Sequence, residues 1–380
     1  MSNLKILRSD ELTRQICVVV GTRPSLVKQS AVMRELTRQE IPFFLLHAGQ
    51  HYSYELDGVF FRDLQIPEPR YRIETTPNYK YHGAQTAEML RGIEEIMLEE
   101  KPKGVLVGGD ANCNLAGALA ARKLQVSLCH EEAGMRGYDW LVPEEHNRVM
   151  IDHISDYLFA PNEEARSNLE GEKVRGRIFV TGTPIVDSVE ENLAIAREKS
   201  DILQRLRIQP DGYILLTMHR EETVDYKEVL AELIEGVRRV AVGSGLPIVF
   251  PAHPRTVLRL GEFGLTETVD RIPGLTRIPP AGYFDFLTLL GNARLVMTES
   301  GGTIQESSIL RVPCVTLSGY TEWHETERAG ANLVSGQKAE QILAAAEEML
   351  SRDRNWPNPF GKSGRAKAIA DILGEKVLGG

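Results

Sequence analysis

The chain has 380 residues, 42% of them hydrophobic and 26% charged, with a formal net charge of −9 at pH 7. That length exceeds one ordinary hydrophobic core and predicts two domains, while the negative balance excludes a broad nucleic-acid surface, which needs a positive field. No apolar run reaches the roughly 20 residues that span a bilayer, and the opening MSNLKILRSDELTRQ lacks the apolar core of a signal peptide. The expectation is a cytosolic protein with neither membrane nor nucleic acid as partner. Cys17, Cys113, Cys129 and Cys314 show no CxxC pair and no zinc spacing, and read as buried free thiols.

In chain order, short apolar runs alternate with longer amphipathic ones, the pattern of βα units on a parallel sheet. The first strands are ICVVVG (16–21), PFFLLHAG (42–49), GVLVGG (104–109), VSLCH (126–130), DYLFAP (156–161) and RIFVTG (177–182). Each is apolar on both parities, as strands covered by helices on both faces are. Residues 25–39 predict a helix with Leu26, Met33 and Leu36 on one face. A charged helical stretch, 186–212, ends in Pro-Asp-Gly, and a second series follows: YILLTMHR, PIVFPAH, ARLVMTES, PCVTLSG and ANLVSG. The reading is α/β, with two Rossmann-like parallel-sheet domains, 1–190 and 191–380, and with the last helix a candidate to pack back on the first. Ligands of such sheets sit beyond the carboxyl ends of the strands, which predicts a binding cleft where the domains face each other.

Four polar clusters stand at those strand ends. GTRPSLVK (21–28) places Arg23 and Lys28 at a helix start; it is neither a GxxxxGK[ST] loop nor GxGxxG. Two cations there suit a diphosphate or carboxylate, and equally a solvated helix start. ESGGTIQES (299–307) offers Ser300, Gly301 and Gly302 as a tight turn open to phosphate oxygens, with Glu306 able to accept from a ribose diol; a plain strand-to-helix turn has the same composition.

CHEEAGMRGYDWLVPEEHNR (129–148) crowds Glu132, Arg136, Glu144 and Arg148 behind a buried strand. Pro143 predicts the first position of a helix, and Glu144 and Arg148, four apart, share a face there. With Asp110 after GVLVGG, Glu132 and Glu144 make three carboxylates at neighbouring strand and helix ends, which suits proton transfer. His130 and His146 read as structural, and HEExxxxR is not the HExxH of a metal site. The last cluster is His219 and Arg220 in TMHR, with PAHPRT (251–256) and TEWHE (321–325).

These segments together resemble the non-hydrolysing UDP-N-acetylglucosamine 2-epimerase family, which has the GT-B fold. The resemblance runs from GTRP through GQH (49–51), GD (109–110), HEEAGMR (130–136), PEEHNR (143–148), TGTPIVD (181–187), HR (219–220), HP (253–254), YFDFL (283–287) and SGGTIQE (300–306) to NPFGKSGRA (358–366). It implies elimination of UDP to a 2-acetamidoglucal and re-addition after reprotonation of C2 on the other face, a path that needs neither nicotinamide nor metal. It further implies Asp110, Glu132 and Glu144 as the acid/base set and His219 as a catalytic group near the leaving phosphate. Arg23, Lys28, Arg148 and Arg220 would hold charge, Ser300, Gly301 and Gly302 the diphosphate, Glu306 the ribose, and Phe286 the uracil wall. A UDP-sugar substrate and a homodimer complete what is implied.

The chain departs from the family pattern at Ser25, Thr223 and Ser318, and GQHYS lacks a glutamine tied to an activating UDP-N-acetylglucosamine. A modified UDP-N-acetylhexosamine, such as a diacetamido uronic acid, is therefore within range. The rival readings are the hydrolysing branch, which releases N-acetylmannosamine, and a nucleotide-sugar-binding module without catalysis. A GT-B glycosyltransferase would leave the three carboxylates idle.

Overall fold

The computed structural model describes residues 7–50, 61–75 and 81–379, and it divides into two compact units. Met1–Ser188 with Lys362–Gly380 forms the first, and Val189–Gly361 the second. The final segment, Lys362–Gly380, which holds the last helix, thus groups with the first unit.

The first unit carries β1 (Thr13–Val20), β2 (Phe43–Gln50), β3 (Tyr71–Thr75), β4 (Pro102–Gly108), β5 (Ser127–Glu131), β6 (Tyr157–Ala160) and β7 (Arg177–Val180). They lie in the order β3-β2-β1-β4-β5-β6-β7, every neighbour parallel. Ile16 to Val20 are wholly buried because both faces of the sheet are covered. On one face Cys17, Val19, Val105 and Val107 pack with Met89 and Ile93 of the helix His82–Glu100 and with Ala116 and Ala120 of the helix Asn112–Leu124.

The second unit repeats the plan with β8 (Ile214–Leu216), β9 (Ile248–Pro251), β10 (Leu275–Ile278), β11 (Leu295–Thr298), β12 (Cys314–Thr316) and β13 (Asn332–Val334), ordered β10-β9-β8-β11-β12-β13 and again parallel. Its core joins Ile214, Leu216, Phe250 and Met297 to Leu233 and Val237 of the helix Lys227–Ser244. In each sheet the winding reverses once, between β1 and β4 and between β8 and β11. A crevice opens at the carboxyl ends of such a pair, and GTRP, GGD, TMHR and TESGG follow those four strands.

Several local features differ from the sequence reading. The edge strands β3 and β10 were not anticipated, because YRIET and LTRI mix charged and apolar residues and β10 is only half-buried. The stretch 186–212 is broken at Ser200–Asp201 into the helices Ile185–Lys199 and Ile202–Leu206. The helix Arg23–Arg38 is closed by a reciprocal cap: Ser25 N–H donates to Thr22 Oγ1 and Thr22 N–H to Ser25 Oγ, each at 3.3 Å. Ser25 thus does the work glutamate has in a capping box.

The final segment is held by Asp187, whose carboxylate accepts the N–H groups of Gly364, Arg365 and Ala366 at the start of the helix Arg365–Ile372. Three otherwise orphaned donors are satisfied at once. All four cysteines are buried and free. No helix among the described residues is long and apolar enough to cross a membrane.

Candidate functional site

In the first unit the charged loops converge on the switch between β1 and β4. Lys28, in the second turn of the helix Arg23–Arg38, places Nζ 3.0 Å from both carboxylate oxygens of Glu132. Burial works against the Lys28 charge, but the charge and hydrogen bond of Glu132 outweigh it and raise the ammonium above its ordinary value. Glu132 has φ +63°, a left-handed backbone that costs a non-glycine residue about 1 kcal/mol. Its two successors force the turn: Ala133 N–H bonds Phe159 O, and a Cβ on Gly134 (φ +84°) would meet Ala165 O at 2.2 Å. A strained backbone at a candidate acid/base residue is kept by this tight join of β5, β6 and the helix Glu163–Gly171.

Asp110 follows β4 and lies 2.6 Å from the Arg148 guanidinium, which also reaches Glu145 at 2.6 Å. Asn147 fixes the same loop by donating to Asp110 O at 2.7 Å. The helix Pro143–Ile154 starts as expected, and within it Arg148 pairs with Glu145, three residues away, and not with Glu144, which shares its face. Glu145 is buried because its carboxylate also accepts the N–H groups of Gly137 and Tyr138 at 2.9 and 3.0 Å. Glu144 is half-buried in the first turn, with no hydrogen bond or ion pair among the described residues.

Arg136 is consumed by structure. Its guanidinium grips Glu172 through two bonds of 2.8 and 2.7 Å and lies 2.8 Å from Asp152. His130 is equally structural, placing Nδ1 2.7 Å from Asp152 and Nε2 3.2 Å from Gly109 O. His146 rests on Trp140 at the surface. Arg23 opens its helix in backbone, while its side chain, like His51 of GQH, lies outside the described residues.

In the second unit His219 leaves β8 and lines a cavity of about 150 Å³ with Thr217, Pro251, His253, Phe286 and Thr303. Its ring lies 5.3 Å from that of His253. Burial first, then His253 and Arg220, push the His219 imidazole down to about 4, so it is neutral at pH 7. Arg220 faces Glu322 at 3.1 Å, Glu222 at 3.4 Å and the Tyr320 hydroxyl at 3.3 Å.

Ser300 is the N-cap residue of the helix Gly301–Ile309, but its side chain makes no cap bond. A Cβ on Gly301 would come 3.2 Å from Trp323 Nε1 and 3.3 Å from Glu322 Oε2, whereas Gly302 has open space. Glu306, on the second turn, accepts from the Tyr283 hydroxyl at 3.1 Å.

Glu299 was missed from the sequence. It is 1% exposed, and its carboxylate accepts the His219 and Arg220 N–H groups and meets the Thr223 hydroxyl. Burial raises its carboxyl above the ordinary range although those three bonds oppose the shift. The one signal was a charged residue directly after the apolar run ARLVMT. Thr223, a departure from the family pattern, is the partner that Glu299 uses.

A family model described as UDP-N-acetylglucosamine 2-epimerase matches residues 34–374. The chain belongs to the UDP-N-acetylglucosamine 2-epimerase family. A relative of that name from Methanocaldococcus jannaschii is 42% identical over 94% of this chain and 98% of its own length. A Pseudomonas aeruginosa relative named UDP-2,3-diacetamido-2,3-dideoxy-D-glucuronate 2-epimerase is 35% identical over 94% of this chain and 99% of its own. The crystal structure of the M. jannaschii UDP-GlcNAc 2-epimerase in complex with UDP-GlcNAc and UDP aligns with a TM-score of 0.87 at 43% identity, over 95% of this chain and 99% of the other. Both sheets of this epimerase-family chain therefore belong to a known two-domain, Rossmann-like architecture.

Proposed function

We propose that the protein interconverts UDP-N-acetylglucosamine, or a close UDP-N-acetylhexosamine, with its C2 epimer while the sugar is returned to the nucleotide. The observation that supports this most is the set of carboxylates at the switch point of the first sheet: Glu132 on Lys28, Asp110 on Arg148, and Glu144 in the adjoining helix with no ion-pair partner among the described residues. The names of the relatives support the substrate class.

The C2 proton of the sugar has no neighbouring carbonyl, so its simple removal is too unfavourable. Elimination avoids that problem. A base takes the C2 proton, the C2–H electron pair becomes the C1=C2 double bond, and the C1–O pair leaves with UDP. On return an acid on the opposite face delivers a proton to C2, and a phosphate oxygen of UDP attacks C1. The path needs a base, an acid and groups that stabilise the departing diphosphate.

In this reading Asp110, Glu132 and Glu144 move the protons, with Lys28 and Arg148 holding the first two in place. His219, neutral at pH 7, can give an N–H to a phosphate oxygen, and Arg220 and Arg23 supply charge. The N–H groups after Ser300, at Gly301 and Gly302, receive the diphosphate. Glu306, steadied by Tyr283, accepts from the ribose, and Phe286 packs against the uracil. The family resemblance also supports a cytoplasmic homodimer, which light scattering tests.

Incubation with UDP-GlcNAc and with a diacetamido uronic acid analogue, followed by proton NMR, decides among the readings. A nucleotide-linked C2 epimer is the expected product. Free N-acetylmannosamine would make the protein a hydrolase, and no conversion of either sugar would leave only a binding module.

A further inference from the structure

Glu131 is a carboxylate beside the Lys28–Glu132 pair that this chemistry leaves unused. It ends β5, is 2% exposed, and its Oε2 is enclosed without a hydrogen-bond partner among the described residues. Gly108 of β4 stands opposite it in the parallel register, so the two residues point to the same face of the sheet. That face is occupied at Gly108 by the Gln29 amide: a Cβ there would meet Gln29 Nε2 at 2.2 Å. Gln29 is wholly buried, and neither end of its amide has a partner among the described residues. An unpaired carboxylate oxygen and an unpaired amide therefore lie at neighbouring positions on one face, next to the Lys28–Glu132 pair.

The charges there do not balance if both glutamates ionise. One ammonium, Lys28, is bonded to one carboxylate, Glu132, and a second carboxylate in the same enclosed place would be a buried charge without a partner. Burial first, and then the Glu132 charge, push the Glu131 carboxyl up to about 8, with Lys28 opposing. We propose that Glu131 is a positioning residue for the acid/base work of Glu132, a buried carboxylic acid that stays neutral beside the Gln29 amide and so does not compete with Glu132 for the Lys28 ammonium. The role rests on the epimerase reading. When Glu131 loses its proton, two carboxylates compete for one ammonium, and Glu132 loses part of its counter-charge and its fixed orientation.

The groups facing Glu131 are few. The helix Arg23–Arg38 presents Lys28 and neutral Gln29, the turn after β5 presents Glu132, and β4 and β6 present Gly108 and Phe159 at the facing register positions. Asp110 acts on Lys28 from the loop after β4. His219 titrates far lower, at about 4.

The experiment measures kcat and KM for UDP-GlcNAc against pH, for the full chain and for Glu131→Gln. A single group ionising near 8 makes wild-type kcat fall by about tenfold between pH 7 and pH 9, with the variant changing by less than roughly twofold and KM following the same course in both. Superimposable kcat profiles overturn the role. Infrared pH-difference spectra in D₂O supply a readout without turnover: the wild type should lose a protonated-carboxyl band between pH 7 and pH 9 that Glu131→Gln never shows. Absence of that band in the wild type means Glu131 is charged throughout, and the proposal fails while the epimerase reading stands. A wild type that shows the band yet converts no UDP-sugar overturns the epimerase reading and the positioning role with it, leaving only the neutral acid.

Discussion

Glu299 carries a prediction whose two arms separate charge from hydrogen bonding. Its buried carboxylate accepts the N–H groups of His219 and Arg220 through Oε1 and meets Thr223 Oγ1 through Oε2. Thr223 has one hydroxyl hydrogen and a second acceptor for it, Arg220 O at 2.8 Å. In Glu299→Gln the amide oxygen keeps both backbone donors, one amide N–H donates to Thr223 Oγ1, and Thr223 donates to Arg220 O, so the three native contacts are kept and only the second amide N–H lacks an acceptor among them. In Glu299→Ala two backbone donors are left buried and a cavity opens. At about 1–3 kcal/mol for each unpaired buried donor, the alanine variant should lose about 3–5 kcal/mol of stability. The glutamine variant should stay within about 1 kcal/mol of wild type. Urea unfolding followed by fluorescence reads both values, and UDP titration calorimetry reads the site. The alanine variant should bind UDP weakly, because the turn that aims His219 and Arg220 is released, while the glutamine variant binds normally. An alanine variant as stable as wild type, or a glutamine variant as damaged as alanine, refutes the reasoning.

Glu132→Gln and Glu144→Gln should each lower turnover by about 10²–10⁴-fold, the usual worth of a positioned acid or base, while calorimetry finds UDP binding retained. Near-normal rates in both would remove the acid/base assignment. Asp187→Ala strips the cap from Arg365–Ile372 and should cost about 1–3 kcal/mol in urea unfolding, with faster amide exchange in that helix than in β1. The raised Glu131 carboxyl also sets a pH dependence of stability: between the ordinary glutamate value near 4.5 and about 8 the folded chain holds a proton that the unfolded chain has released. Its contribution therefore falls as pH rises through that window, by at most about 1.4 kcal/mol per pH unit, and is constant above it. Glu131→Gln should flatten that part of the curve, and an unchanged slope would show the carboxyl to be ionised in the fold.

The parallel sheets were legible because their strands are apolar on both parities, and that pattern needs helices on both faces. β3 and β10 were not, since an edge strand is covered less and YRIET and LTRI keep charged residues that a central strand excludes. Candidate positions at the strand ends were legible where an apolar run meets a polar motif, as at Asp110, Glu132 and His219. Pairings were not, because they depend on distances that spacing does not fix: Arg148 chose Glu145 and Asp110 over Glu144, and Arg136 went to Glu172 and Asp152. Glu299 and Glu131 escaped for a related reason. A carboxylate at the end of a strand reads as a surface charge until burial is known.

The most direct test of C2 inversion by elimination is the reaction in D₂O, followed by NMR and mass spectrometry of the nucleotide-linked sugar. Deuterium should enter C2 of both epimers with UDP still attached at equilibrium. Unlabelled, unconverted UDP-N-acetylhexosamine across the substrate panel, or inversion that keeps the original hydrogen at C2, would contradict it.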